Sequence, residues 1–533
     1  MRNKKILSCR AEALAKAGWA GTSTLQYSGT NQPKSILEYR NANQKLTNAN
    51  QKMKPNLGAA VYPADNRYAY PQMKALPKLR TTLSCASTTI SIYMINMQFA
   101  IRRFGTTIVL PLFIFSALAK ATAQTHITPI LPQIPNGTYN IKNYGAVGDG
   151  LVANTKPVQA AINAASAAGG GTVEVPAGTF LCGPIQMASE INLHLDSGAL
   201  FRMLPLDKYP GGTRNPRSFI NGEKLHDVAI SGSGAIDGQG APWWPFAKTR
   251  GAFRPRMIAL ESCDRILIED VTLSNSPEFH IALGGKCSDI TVRKVTIRAP
   301  ASEDPVCPSH NTDACDVSGK HVLVEDCNVS VGDDDFTCSG VTSDVLITNC
   351  TYGFGHGVSI GSRTAGGVSD LTVIDCTFNH TDAGIRIKSD RDRGGFIHDL
   401  SYMNLRMTNV GCPILIYAAY IANEREYRNL NGLTPEVASS YPAAAITDRT
   451  PIYRNIMFSN ITATAESGDR AGLIWGLPEM NVTNVLLKNV SLTADKPFGV
   501  FNAQGVKFVD CKIITPKGVN QISSTNANVV IAP

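Results

Sequence analysis

The chain has 533 residues, enough for one large domain or two to three ordinary ones, and a formal charge of +8. That charge is local: residues 1–96 hold 14 Lys/Arg and 3 Asp/Glu, leaving 36 basic against 39 acidic residues in the remainder. The near-neutral remainder argues against a nucleic-acid partner, and no apolar run beyond residue 123 is long enough to span a bilayer.

Residues 1–96 are rich in Asn, Gln, Lys and Ser without sustained periodicity, and read as an upstream extension, disordered or untranslated. Residues 97–123 read as a secretory signal peptide. Arg102 and Arg103 precede the apolar run 106–118, and Ala121-Thr122-Ala123 offers small residues for cleavage. Translation starting at Met94 or Met97 accounts for its internal position. The mature chain, 124–533, is then a single secreted or periplasmic domain that keeps 11 of the 13 cysteines.

A start module follows. Asn143 to Gly150 is turn-rich, and residues 155–167 have the pattern of an amphipathic helix. Asn154 or Thr155 can cap it, Pro157 suits its first turn, and Gly169-Gly170-Gly171 ends it. Residues 172–176 alternate as a strand. One helix ahead of many strands suits a cap over the open end of a solenoid.

From Ile266 on, apolar residues recur at offsets 0, 2, 5 and 7, in nine sets that begin at Ile266, Ile290, Val322, Val345, Leu371, Leu400, Ile456, Val485 and Val506. Offsets 0 and 2 give one face of a strand, and the shift to 5 and 7 implies a bend and a second strand. Most sets lie 21 to 32 residues apart, with one gap of 56 that has room for two turns. The pattern predicts an all-β fold, a single-stranded right-handed parallel β-helix with an N-terminal capping helix. Cys327, Cys350, Cys376 and Cys511 share offset 5 and are expected to stack inward as small apolar side chains; Cys307 and Cys315 could still pair.

Four polar signatures follow the repeat anchors: Asn311-Thr312-Asp313, Gly332-Asp333-Asp334, Gly355-His356-Gly357 and Arg386-Ile387-Lys388. One coil apart, they would climb one face over ~15 Å. Three carboxylates, an imidazole and two cations suit hydrolysis of an acidic polysaccharide by general acid/base catalysis. Crowding is expected to raise one carboxyl into an acid, and Arg386 and Lys388 to hold a sugar carboxylate. Asp333 and Asp334 are neighbours, so both reach the cleft only if the strand ends or bulges there. His280, Arg363, Arg391 and Arg393 fit either the cleft or the outer surface.

The four signatures in this order and spacing, with the start module and Ile236-Asp237-Gly238-Gln239-Gly240…Trp243-Trp244, resemble the polygalacturonase family, glycoside hydrolase family 28. The resemblance runs from about Tyr139 to the C-terminus. It implies Asp333 as general acid, Asp313 and Asp334 as the pair that activates water, and His356 as support for the acid's protonation. It implies Arg386, Lys388 and Tyr420, with Tyr417 as rival, as substrate-binding residues. Asp335 stands where many members have Cys, Asn or Ala, and is expected to put a negative charge beside the acid. The implied protein is a monomeric secreted hydrolase of galacturonan, inverting, with no cofactor or metal. The alternatives are a β-helical pectate lyase with Ca²⁺ on Asp333-Asp334-Asp335, or a non-catalytic carbohydrate-binding or adhesin β-helix. Endo or exo action is not legible.

Overall fold

The computed structural model describes residues 126–420 and 430–533. The expected extension and signal peptide lie outside the described residues. Among the latter, no helix is long and apolar enough to cross a membrane.

The described chain winds into a right-handed parallel β-helix in which every strand pairing is parallel. Ile266 pairs with Ile290, then the register passes through Val322, Val345, Leu371, Leu400, Ile456, Val485 and Val506, one coil at a time. The nine sets therefore form vertical columns through the core. All their members are buried except Cys511, in the ninth set, which is partly exposed.

The bend between offsets 2 and 5 has a specific cause. The residue at offset 4 has positive φ in every set, as at Asp326 (56°), Asn349 (51°), Asp375 (58°), Asn404 (55°), Asn460 (54°) and Asn489 (53°). Asp and Asn tolerate this left-handed conformation better than other side chains, because their short polar groups bond locally. Here they also bond vertically. Asn404 Nδ2 donates to Asp375 Oδ1 at 2.9 Å, Asn460 to Asn404 at 3.1 Å, and Asn489 to Asn460 at 2.9 Å. A second left-handed corner precedes offset 0, at Asp289, Asp344, Asp370, Asp399, Asn455 and Asn484 among others.

The gap of 56 residues is one coil, not two. Leu400 pairs directly with Ile456, which leaves no rung for a strand between them. The extra length is an insertion after Tyr417, carrying a short helix at Pro435–Ser440.

Helix α1 spans Thr155–Ala167 and packs against the first strands, Thr138–Asn140 and Gly171–Val175, through Val158, Ala161, Ile162 and Ala165. Asn154 stands at its N-cap but makes no capping bond. Its buried amide instead ties Val147 and Val152. Thr155 Oγ1 accepts from Gly183 N at 2.7 Å.

Cys327, Cys350 and Cys376 are buried free thiols in consecutive coils. Cys315 is also a free buried thiol, so the Cys307–Cys315 disulfide is not made.

Six strands of one parallel sheet frame the polar signatures: β1 (Ile281–Arg293), β2 (Cys315–Glu325), β3 (Phe336–Cys338), β4 (Val358–Ile360), β5 (Ala383–Lys388) and β6 (Cys412–Tyr417). They lie side by side in that order.

Candidate active site

Register builds the site. Asp316, Thr337, Ser359 and Arg386 pair in one row across β2 to β5. Their neighbours Val317, Cys338, Ile360 and Ile387 fill the core, so by strand alternation the row faces outward. Three positions before this row the chain is not yet strand, and Asp313, Asp334 and His356 occupy the turns leading into β2, β3 and β4. Asp333 and Asp334 point to one site because β3 begins only at Phe336. Arg386 and Lys388 lie on the same face of β5.

The side chains converge. Asp333 Oδ1 lies 3.1 Å from His356 Nδ1, and His356 Nε2 lies 3.0 Å from Asp382 Oδ2. Asp334 is held by cations on both oxygens: Arg386 Nη2 and Ser359 Oγ donate to Oδ1, and Lys388 Nζ donates to Oδ2 at 2.8 Å. Arg386 Nη2 is also 3.1 Å from His356 Nδ1. Asp313 is buried, and its Oδ1 has no hydrogen-bond partner.

Two glycines let the chain on either side of His356 pass close to its neighbours. A Cβ on Gly355 would meet the Asp335 carboxyl at 2.3 Å, and one on Gly357, at φ 74°, would meet Ala383 O at 2.0 Å.

Electrostatics separate the carboxyls. Burial pushes Asp313 well above the usual carboxylate range, and the charges of Asp333 and Asp334 add to it. Burial also raises Asp333, but the bond to His356 and the charges of His356, Lys388 and Arg386 outweigh it, and its pKa falls. Asp334 is lowered too, because Arg386 and Lys388 outweigh its burial. Burial and Arg386 push the imidazole of His356 down; its bonds to Asp333 and Asp382 prevail and hold it at about 9. Crowding thus raises Asp313 rather than Asp333.

Asp335 does not project beside Asp333 as a free charge. It is 1% exposed, its Oδ2 accepts from Gly357 N at 2.9 Å, and burial raises its pKa strongly. Asp333, Asp334 and His356 bring ligand atoms within 4.8 Å of one another. A divalent cation there would have to displace Arg386 and Lys388 from Asp334.

Tyr420 is 38% exposed, with Lys388 Nζ 5.4 Å from its ring centre, whereas Tyr417 is buried. Arg391 is tied to Glu479 at 2.6 and 3.0 Å, and His280 is fully buried.

Sequence reasoning did not reach two contributors, Arg254 and Asp382, and placed a third, His280, in the cleft or on the surface, whereas it is buried under Asp313. Arg254 Nη2 donates to Asn311 Oδ1 at 2.9 Å, while Asn311 N and Nδ2 donate to Asp333 Oδ2 at 3.1 and 3.2 Å. Arg254 precedes the signatures in an irregular loop that carries no periodicity. Neutral His280, lowered by burial to about 4, donates its backbone N–H to Asp313 O at 2.8 Å. Asp382 sits four residues before Arg386, in the same kind of turn as Asp334 and His356, and register could have found it.

The chain is similar to known proteins in both sequence and fold. The model of "Glycosyl hydrolases family 28" matches residues 166–511. The chain is 29% identical over 358 residues to an exopolygalacturonase of Zea mays, covering 64% of this chain and 80% of that one. It is 28% identical over 422 residues to an endo-polygalacturonase of Pectobacterium carotovorum subsp. carotovorum, covering 73% and 94%. A hyperthermoactive exopolygalacturonase from Thermotoga maritima has a similar solved structure, with a TM-score of 0.59 and 20% identity, covering 75% of this chain and 94% of that one.

Proposed function

The chain belongs to glycosyl hydrolases family 28, a glycoside hydrolase of the pectin-degrading kind, and we propose that it hydrolyses α-1,4-galacturonosyl linkages by inverting general acid/base catalysis. The observation that carries this reading is the contact of Asp333 with His356 beside an Asp334 held ionised by Arg386 and Lys388. We also propose a secreted monomer, with residues 1–96 as an upstream extension and 97–123 as signal peptide.

Asp333 protonates the leaving oxygen. Before substrate binds, its proton belongs to the pair with His356, whose imidazole pKa is held at about 9. A bound sugar expels water around Asp333, which raises its pKa and draws the proton to the carboxyl. Asp313 and Asp334 activate water together. Asp334 supplies fixed negative charge, and Asp313 a carboxyl oxygen with no partner, free to take the water's proton. Asp333 and Asp334 offer oxygens within 4.8 Å, closer than the ~6.5–9.5 Å that leaves room for water in an inverting pair, so the water sits toward Asp313. Arg386 and Lys388 bind a sugar carboxylate next to the cut, and Tyr420 contacts a sugar ring.

The raised pKa of Asp313 favours a second reading, in which Asp313 is the acid. Leaving-group chemistry separates the two. Asp333→Asn should lose about 10²–10⁴-fold in kcat on polygalacturonate, yet keep most activity on an aryl galacturonide whose phenol leaves without help. Asp313→Asn should lose both. The reverse pattern assigns the acid to Asp313, and full activity of both variants ends the hydrolase reading of this site.

A further inference from the structure

Asp382 lies outside the four signatures, yet its carboxylate is 3.0 Å from His356 Nε2. Its position is fixed through the backbone: Asp382 N donates to Gly355 O at 2.8 Å, and Asp382 O accepts from Cys412 N at 2.9 Å. The carboxylate is therefore placed by the coil below and the coil above. An ionised carboxylate only accepts, so Nε2 carries a hydrogen.

The other ring nitrogen faces two near groups, with Asp334 Oδ1 farther off at 3.8 Å. Nδ1 is 3.1 Å from Asp333 Oδ1 and 3.1 Å from Arg386 Nη2. Asp333 Oδ2 is occupied by the two Asn311 donors, and Arg254 on Asn311 Oδ1 keeps that amide from turning over. Oδ1 accepts only one N–H, from Asp334 N at 2.9 Å, so the remaining place for a proton on Asp333 is on Oδ1, against Nδ1.

We propose that Asp382 is a positioning residue that fixes the hydrogen on Nε2 of His356, so that Nδ1 and Asp333 Oδ1 share one proton, the one delivered to the leaving group. The inference rests on the reading of Asp333 as acid. With the proton on Nδ1 the pair is imidazolium and carboxylate; with it on Oδ1 the pair is imidazole and carboxylic acid, and Nδ1 accepts from Arg386. In the reacting step the Asp333 O–H bond breaks and the glycosidic oxygen gains that proton as its bond to C1 breaks. Water adds at C1 and gives its own proton to the Asp313/Asp334 pair. Without Asp382 the ring can place its hydrogen on Nδ1 alone, pointing it at Asp333 with no lone pair to receive the acid's proton.

Other charges face the ring: Asp333, Asp334 and Asp335 from the turn into β3, Arg386 from β5, and His310 from the loop before β2. Of the carboxylates, Asp382 is the one on Nε2, and its side chain is 52% exposed, so its replacement leaves the core intact.

The test uses the full chain with ¹⁵N-labelled histidine, as wild type, Asp382→Ala and Asp382→Glu. Long-range ¹H–¹⁵N spectra between pH 5 and 9 report which nitrogen of His356 is protonated. Wild type should show hydrogen on Nε2 throughout. Asp382→Ala should show the Nδ1–H form at higher pH, a kcat lower by about 10- to 100-fold with KM kept within about twofold, and an alkaline limb moved down by about one pH unit. Asp382→Glu should restore the spectrum and most of kcat. An Asp382→Ala protein that keeps Nε2–H and the wild-type alkaline limb overturns the inference. Failure of the acid reading is seen separately, as an Asp333→Asn protein that loses activity on the aryl galacturonide too, or that keeps its turnover of polygalacturonate.

Discussion

Lys388 Nζ donates to Asp334 Oδ2 at 2.8 Å across two coils, joining the end of β5 to the turn before β3. Both side chains are almost fully buried, at 5% and 4% exposure. A buried ion pair broken from one side leaves an uncompensated charge, which costs more than the pair contributes. Lys388→Met should therefore lower unfolding free energy by about 3 kcal/mol, read from denaturant midpoints at constant m, and abolish turnover. A loss below about 0.5 kcal/mol would mean that Arg386 alone compensates Asp334.

Titration of His356 should be visible in stability. Its folded pKa, about 9, lies above the ordinary value of 6.5. The folded state thus binds the proton more tightly, and this contribution is complete below pH ~6.5 and lost as pH rises to about 9. Wild type should lose on the order of 2 kcal/mol over that window relative to His356→Gln. Parallel stability curves for the two proteins would contradict the assignment.

Asp335 has the opposite consequence near neutrality. Its folded pKa is raised, so its contribution is present at low pH and lost as pH rises above the usual carboxylate range. Asp335→Asn keeps an acceptor for Gly357 N and removes the ionisable group. It should raise stability by about 1–2 kcal/mol at pH 7, with a smaller gain at pH 4. A destabilised Asp335→Asn at pH 7 would show that the ionised carboxylate is needed under the His356 turn.

The frame was legible in the sequence because core columns recur at fixed offsets. The corners were legible only as a bend. The Asp or Asn at offset 4, present in eight of nine sets, was the available signal for a left-handed residue and went unread. The gap between Leu400 and Ile456 was ambiguous for a simple reason: spacing counts residues, whereas pairing counts coils. The active-site cluster was legible because strands stack vertically, so motifs one coil apart must meet. Its internal wiring was not. The bonds of Arg386 and Lys388 to Asp334, beside the sugar carboxylate proposed for them, could not be read from residue order. Asp335 was expected to add charge beside the acid, and instead lies buried beneath Gly357. Which partner a charged side chain takes depends on ångström-scale placement that residue order does not carry.

The most direct test follows the anomeric protons by ¹H NMR during the first minutes of polygalacturonate digestion by the full chain. Inverting hydrolysis of α-linkages predicts that the new reducing ends appear first as the β-anomer and mutarotate later to the α-form. New ends appearing first as the α-anomer, or as unsaturated products without a new water-derived hydroxyl, would contradict the account.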